Sequence, residues 1–481
     1  MDVREEKMEN MPLDINQLVK QLNIDPSKLT LPKGFNLADL RRRWIEEWDE
    51  LVFMDGRRVS PEQMADELIS YIPKYPIPML FLKSDFDLIS VFKMRYLYFS
   101  YNSRMCEERK KGMSFVPRGQ PAEIIYAAGA KPVDVFFWIN EVIFTGDFYF
   151  TERGHELTSP EACHAECGLT AMIEEGAIPA DLVALPCNFI SGDTAACHLL
   201  HRSGKKGIPL LFTDFPVNGI GKRWATKYLA EGFRNLAERV AHISGKGITE
   251  EGLRQWIRII NEGRRQLREF KELCLFSERP PVASCENMIV IGGLLDWFLD
   301  PLATIATLKE VNCEVRKRVE KGIQAPGLSE EPVRLFMLSM PSADMALLNV
   351  VDDLGGVIVW CELTSAFCDK DVVEDGDPYE QLANWWIKDM SWSPSVSLRD
   401  RTERIMELLE KGRIDGVIFN CNWGCNWQPP FAKAIIDTIK EEMGIPGLII
   451  TTGMPRKDGA GGYKLSGQLQ TRIEAFIEML K

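Results

Sequence analysis

The chain has 481 residues, 45% of them hydrophobic and 26% charged, and a formal net charge of −13. This composition is typical of a globular protein with two or three domains and argues against a disordered chain or a membrane protein. The acidic balance without a long basic run argues against nucleic-acid and membrane partners. Because the N-terminal sequence lacks a signal-peptide pattern, we expect a cytoplasmic protein whose twelve cysteines are not disulfide-bonded.

Residues 1–114 are predicted to form a helical N-terminal segment. Helical periodicity covers Asn36–Met54 and Glu62–Tyr71, and prolines interrupt the pattern between these stretches. The segment carries little recognisable chemistry.

A first α/β domain is predicted over residues 115–221. Its first block, Pro121–Gly129, is typical of a helix that ends at a glycine and leads into a strand. Further on, Ser159 is a candidate N-cap with Pro160 at the first helical position. A helix that begins there places Cys163 and Cys167 one turn apart on one face.

The same strand-and-thiol pattern occurs twice along the chain. Asp181–Asn188 and Asp415–Asn422 both read as an apolar run that ends in Cys-Asn, and each is followed by a helical stretch and a second apolar run. We interpret this as a quasi-repeat of one βαβ unit. In open α/β sheets the chemistry lies at the carboxyl ends of the strands, which is where Cys187 and Cys421 fall.

A helical section is predicted over residues 222–331 and a second α/β domain over residues 332–481. The predicted helices of the section include Trp224–His242, Glu250–Phe276 and Leu302–Lys321. The predicted strands of the second domain are Arg334–Leu338, Val357–Trp360, Gly416–Asn420 and Leu448–Thr452, before a terminal helix at Gln468–Leu480. The predicted fold class is therefore α/β, with two flavodoxin-like parallel-sheet domains separated by helices.

Thiols are the main candidates for chemistry. The pairs Cys163/Cys167 and Cys421/Cys425 each have C-x3-C spacing, Cys187 follows a strand, and Cys361 ends another predicted strand. Thiolates are soft ligands for iron–sulfur clusters or zinc, although buried, inert cysteines are common. The neighbouring His164 is a weak candidate for a ligand or proton donor.

Nucleotide-binding motifs are poor. The stretch from Pro216 to Lys222 has the Gly-Lys end of a phosphate loop but lacks its first glycine and the following Ser or Thr. If the reaction needs ATP, a partner protein is expected to supply it.

Two stretches resemble a known family. The segment from Asp415 to Cys425, followed by Gly-Ile-Pro446 and the run from Gln468 through Arg472, is similar to the 2-hydroxyacyl-CoA dehydratase and benzoyl-CoA reductase family, and Ala122–Ala130 resembles its N-terminal block. The resemblance covers roughly residues 115–481. Gly-Cys425-Asn-Trp stands where the family's dehydratases have Ser-Cys-Lys-Pro, a departure that bears on the substrate more than on the cluster.

The resemblance implies two α/β domains in each of two related subunits, and a 4Fe-4S cluster held by three cysteines. By position these are Cys163, Cys187 and Cys425. It also implies a CoA-thioester substrate, a homologous subunit or second copy as partner, and an ATP-hydrolysing iron–sulfur activator that delivers electrons one at a time. The expected reaction is 2-hydroxyacyl-CoA dehydration or benzoyl-CoA-type reduction.

Two alternatives remain open at this point. Some relatives carry a double-cubane 8Fe-9S cluster, for which Cys167, Cys421 and Cys361 would be the additional ligands, and such a protein would reduce small unsaturated molecules without CoA. A non-catalytic metal-binding scaffold subunit would instead hold zinc or an empty thiol site.

Overall fold

The structure is a computed structural model. It describes residues 37–71, 85–117, 120–133, 149–159, 162, 164–187, 206–292, 296–339, 345–390, 395–422, 429–452 and 465–481.

The N-terminal segment begins with a helix, a short hairpin and a second helix. Helix α1 spans Leu37–Glu47, strands β1 (Leu51–Val52) and β2 (Arg58–Val59) pair antiparallel, and helix α2 spans Pro61–Tyr71. The predicted helix over Asn36–Met54 is therefore too long at its C-terminal end. After α1 the chain forms a hairpin instead of continuing as a helix. Gly56, with φ of +80°, permits the turn that joins the two strands of this hairpin.

Helix α3 (Ile89–Phe99) is buried along its whole length, and α4 (Tyr101–Lys110) follows it directly. Two cations of α3 are paired inside the protein. Lys93 donates to Glu310 at 2.7 Å, and Arg95 donates to both oxygens of Glu286 at 2.8 Å. Since Glu286 and Glu310 lie in the later helical section, these bonds fix the N-terminal segment to it. Removing either partner would leave a buried charge unpaired.

The first α/β unit contains four short parallel strands. They are β3 (Phe115–Pro117), β4 (Lys131–Val133), β5 (Val183–Cys187) and β6 (Leu210–Asp214), with helix α5 (Ala122–Ala127) between the first two. The pairs β3/β4 and β5/β6 are both parallel. The Asp181 N–H donates to the Phe115 carbonyl at 3.0 Å, and the Asp181 carboxylate accepts from the Phe115 N–H at 2.9 Å. These two bonds link the β3/β4 pair to the segment just before β5, so the two pairs lie side by side.

Two antiparallel helices connect β4 to β5: α6 (Tyr149–Leu157) and α7 (His164–Glu175). The prediction that Ser159 caps a helix starting at Pro160 is wrong, because Ala162 lies in a bend and α7 begins at His164. The Ser159 carbonyl instead accepts from the Ala162 N–H at 3.0 Å in the turn after α6.

Long amphipathic helices form the predicted helical section. They are α8 (Arg223–Ser244), α9 (Glu250–Leu275), α10 (Ser284–Ile291) and α11 (Pro301–Glu320). These bounds confirm the three predicted helices to within two residues. Thr249 caps α9 and Asp300 caps α11, each accepting a backbone N–H with its side chain.

A left-handed turn precedes α11. Trp297, Phe298 and Leu299 all have positive φ, between 49° and 63°, and all three side chains are buried. Such backbone costs about 1 kcal/mol or more per non-glycine residue, so the surroundings must impose it. Arg104 donates to the Phe298 carbonyl at 2.8 Å, and the Trp297 ring lies against Gly263 of α9.

The second α/β unit is one parallel sheet with spatial order β10-β9-β7-β8. Its strands are β7 (Val333–Ser339), β8 (Gly356–Cys361), β9 (Gly416–Asn422) and β10 (Gly447–Thr452), which confirms the four predicted strands. The helices around it are α12 (Met345–Asp353), α13 (Glu362–Cys368), α14 (Pro378–Asn384), α15 (Leu398–Gly412), α16 (Pro429–Met443) and α17 (Gly467–Leu480). A π-helical turn, Trp385–Asp389, follows α14.

The protein is thus a mixed α/β structure with small parallel sheets and a large helical share. The buried residues of both sheets and of the helices form one continuous hydrophobic core. In the described part of the chain, no helix has both the length and the apolar character needed to cross a bilayer.

The contact between Gly263 and Trp297 makes a stability prediction. A Cβ added at Gly263 would lie 2.4 Å from the Trp297 ring. We expect Gly263→Ala to destabilise the protein by roughly 1–3 kcal/mol through overpacking, despite the better helix propensity of alanine. Chemical denaturation measures this. Gly467→Ala, where a new Cβ meets nothing within 4 Å, is the control and should not destabilise. Equal stability of both variants would contradict the packing described here.

Candidate functional site

Three of the candidate cysteines lie at or near the carboxyl ends of parallel strands. Cys187 is the last residue of β5, Cys361 is the last residue of β8, and Cys421 is the last but one of β9. Parallel strands expose their carboxyl ends at one edge of a sheet, where an open α/β fold places its ligands. The strand-end placement predicted for these thiols is therefore confirmed.

The remaining candidates have less structural description. Cys163 and Cys425 lie outside the described residues. His164 is the first residue of α7. Among the residues that the structure describes, no group of three or more Cys, His, Asp or Glu is arranged to hold a metal ion.

Cys167 is fixed inside the contact between α6 and α7. It is fully buried, and its Sγ lies 3.0 Å from the Thr158 hydroxyl and 3.6 Å from Nδ1 of His155. The two helices touch backbone to backbone here, since a Cβ at Gly154 would lie 2.1 Å from the Cys167 carbonyl oxygen. The Thr158 hydroxyl also bonds the Gly154 carbonyl at 2.8 Å. The thiol therefore takes part in holding these helices together.

Cys361 is enclosed by the core of the second sheet. It has no exposed surface, and burial raises the pKa of its thiol to about 12, although the N–H groups of Leu363 and Thr364 act in the opposite direction. The next residue, Glu362, is also buried and forms a bidentate ion pair with Arg401, with N–O distances of 2.5 and 2.8 Å. The Arg401 guanidinium thereby neutralises the negative charge of the Glu362 carboxylate beside this thiol.

The residue before Cys421, Asn420, takes part in a hydrogen bond that joins β9 to β10. The Thr452 hydroxyl donates to the Asn420 side-chain carbonyl at 2.6 Å, and both residues are buried. Cys421 itself is buried and stands beside Thr451 in the parallel register. The bond therefore ties β9 to β10 near the carboxyl end of β9, directly before Cys421.

The carboxyl end of the first sheet meets the second α/β unit at Trp386. Phe215, directly after β6, packs against the Trp386 ring at 5.4 Å, and Phe367 of α13 packs against it at 6.1 Å. The Ser395 hydroxyl donates to the Pro216 carbonyl at 2.5 Å. Since α13 follows Cys361 and β6 pairs with β5, this junction links the strand ends of the two units.

A buried guanidinium ties the junction to the helices. Arg264 of α9 donates to the Glu123 carboxylate of α5 and to the Asn261 side chain at 2.9 Å, and it lies 4.4 Å above the Trp385 ring. Arg264 and Glu123 are both almost fully buried. One side chain therefore contacts the first α/β unit, the helical section and the second α/β unit.

Comparison with known proteins identifies the family. The sequence model of the 2-hydroxyglutaryl-CoA dehydratase D-component matches residues 119–480. The chain belongs to this family. We therefore interpret the strand-end thiols by comparison with members of this family.

Three relatives have informative names. YjiM of Escherichia coli, a dehydratase subunit by provisional name, is 28% identical over 250 residues, which are 51% of this chain and 61% of that protein, less than two thirds of its length. The alpha subunit of lactoyl-CoA dehydratase from Anaerotignum propionicum is 21% identical over 66% of this chain and 75% of its own length. The beta subunit of the same enzyme is 22% identical, over 78% of this chain and 93% of its own length.

The D-component match over residues 119–480 includes both Glu123 and Arg264. The sequence analysis did not identify Arg264 as an important residue, although its position on α9 carries a signal. On α9 the buried positions Leu253, Ile257, Ile260 and Leu267 form a helical stripe, and Arg264 occupies the same stripe. An arginine within an apolar stripe requires a buried acidic partner, which a single sequence does not identify.

The Arg264 network makes a second prediction. Arg264→Met keeps most of the side-chain volume but leaves the Glu123 carboxylate buried without its cation. We expect a loss of about 3–5 kcal/mol in the free energy of unfolding. Denaturant titration measures the loss, and Arg265→Met, at a half-exposed neighbour on the same helix, should cost less than about 1 kcal/mol. An equally small effect at both positions would contradict a buried ion pair at Arg264.

Proposed function

We propose that this chain is the iron–sulfur subunit of a low-potential radical enzyme that acts on CoA thioesters, with 2-hydroxyacyl-CoA dehydration as its reaction. The observation that carries the proposal is the D-component match over residues 119–480 together with strand-end thiols in both α/β units. Benzoyl-CoA-type reduction is a related reaction of the same chemistry. Its products distinguish it from dehydration.

The chemistry of the donors suits an iron–sulfur cluster. We propose Cys163, Cys187 and Cys425 as the cluster ligands, because they match the three family positions and thiolates are the usual ligands of such clusters. Cys187 lies at the carboxyl end of β5, and Cys425 comes three residues after the last residue of β9 in the sequence. When bound, the cluster would deliver single electrons at low potential to the thioester.

The surroundings of the additional thiols favour one 4Fe-4S cluster over a double-cubane 8Fe-9S cluster. Cys361 is fully enclosed within the core of the second sheet. Cys167 is engaged with Thr158 and His155 between two helices. Recruiting either thiol to a cluster would require repacking these contacts.

We propose two flavodoxin-like domains, and strand order supports the second of them. When the strands of the second sheet are numbered along the chain from one to four, their spatial order is 2-1-3-4. This is the beginning of the flavodoxin-like order, in which ligands bind at the carboxyl ends near the switch point. The first unit contributes two parallel pairs, β3/β4 and β5/β6. The aromatic rings of Phe215, Trp386 and Phe367 pack together between β6 and α13, which follows Cys361.

Two partners complete the proposed enzyme. The chain is similar to both the alpha and the beta subunit of one lactoyl-CoA dehydratase, which supports assembly with a homologous subunit or a second copy. An ATP-hydrolysing iron–sulfur activator is the proposed electron source.

The proposal is tested with anaerobically purified chain, its partner subunit, activator, reductant and ATP. The chain is incubated with a series of 2-hydroxyacyl-CoA thioesters and, separately, with benzoyl-CoA. The 2-hydroxyacyl-CoA thioesters are expected to give 2-enoyl-CoA, detected by mass spectrometry, and only when ATP is present. Loss of water without net reduction identifies dehydration, and added hydrogen in benzoyl-CoA identifies reduction. Absence of both products from cluster-loaded protein would contradict the CoA-thioester proposal.

Cysteine variants test the ligand set in the same preparations. Cys163→Ser, Cys187→Ser and Cys425→Ser are each expected to lower bound iron and abolish turnover. Cys106→Ser and Cys313→Ser, at exposed positions, are the controls and should retain both. Full iron content in all three ligand variants would exclude the proposed ligands.

A further inference from the structure

An exposed aromatic and basic surface lies at the start of helix α8. Val217, Trp224 and Tyr228 are 56%, 58% and 49% exposed, and the Trp224 and Tyr228 rings pack edge to face at 6.4 Å. Three exposed cations accompany them: Lys222, Arg223 and Lys227. We name these six residues the α8 face.

The cations of the α8 face have no acidic partner among the described residues, since no described carboxylate forms an ion pair with them. Three other exposed arginines of the helical section are paired: Arg258 with Glu251, Arg265 with Glu262 and Arg316 with Glu269. The chain as a whole has a net charge of −13. A locally basic, aromatic surface on an acidic protein is therefore suited to an acidic partner.

The position of the α8 face connects it to the candidate cluster site. The Tyr228 hydroxyl donates to the Asp214 carboxylate at 3.0 Å, and Asp214 stands beside Cys187 in the parallel register of β6 and β5. The face therefore begins one strand away from a proposed cluster ligand. A redox protein bound there would be close to the carboxyl end of β5.

Aromatic residues and arginine are the side chains most often found at the energetic centre of protein interfaces, and a basic rim accelerates association with an acidic surface. On the α8 face, Trp224 and Tyr228 are the aromatic residues, and Lys222, Arg223 and Lys227 form the basic rim.

We propose that the α8 face is the docking surface for the electron donor, an iron–sulfur protein that presents an acidic surface. The inference rests on the proposed function, because it assumes a cluster at Cys187. In the docked complex, one electron leaves the reduced cluster of the donor, which is oxidised, and enters the cluster of this chain, which is reduced. No covalent bond is formed or broken in this chain.

The test compares binding and electron transfer in the full chain, with the reduced, ATP-bound activator of a 2-hydroxyacyl-CoA dehydratase as the probe. Lys222→Glu/Arg223→Glu/Lys227→Glu and Trp224→Ala/Tyr228→Ala are each expected to weaken binding about tenfold or more. The rate of cluster reduction should fall by a similar factor, and the effect of the charge variant should shrink at high salt. Reduction by titanium(III) citrate, which needs no docking, should remain unchanged.

Matched controls carry the same changes elsewhere. Lys317→Glu/Lys411→Glu/Lys440→Glu has the same change in net charge at exposed positions, and Met479→Ala removes an exposed apolar side chain. Both should bind the activator as the unmodified chain does.

Two outcomes would overturn the inference. The first is activator binding by the α8 variants that equals binding by the controls. The second is loss of association with the homologous subunit while reduction by the activator is retained, which would make the α8 face a subunit interface. A chain that holds no iron but binds the activator through this face would refute the cluster proposal and leave the docking surface intact.

Discussion

The buried guanidinium of Arg264 is the interaction on which the arrangement of the molecule depends most. It bonds Glu123 of the first α/β unit, belongs to a helix of the central section, and lies over Trp385 next to the second α/β unit. A buried charge is tolerated only where its partners are held in place, so this ion pair favours one relative placement of three parts of the chain. Trp386, between Phe215 and Phe367, continues the same junction toward both sheet edges.

A second constraint comes from the parallel strands themselves. Each strand delivers its last residues to one edge of its sheet, and Cys187, Cys361 and Cys421 all lie at or near such ends. Two of these thiols are part of the hydrophobic core. Cys361 is enclosed beside the Glu362–Arg401 ion pair, and Cys421 is also buried.

Sequence reasoning was most successful where local pattern decides structure. The four strands of the second sheet and the long helices α8, α9 and α11 follow from apolar runs and helical periodicity. It was wrong at Asn36–Met54, where the helix ends at Glu47 and a hairpin follows. It was also wrong at Ser159, where a turn precedes the helix that begins at His164. The pairing of Arg264 with Glu123 joins residues 141 positions apart, and nothing in local sequence identifies such a partner. The ligand roles of Cys163, Cys187 and Cys425 stay predictions.

The most direct test of this account is the metal content of the chain after anaerobic purification. Iron, acid-labile sulfide and zinc are measured per chain, together with an electron paramagnetic resonance spectrum after reduction. The account predicts about four irons and four sulfides per chain and a signal from one reduced cluster. About eight irons would contradict the single-cluster proposal in favour of a double cubane, and zinc or no metal after anaerobic reconstitution would contradict the radical-enzyme proposal itself.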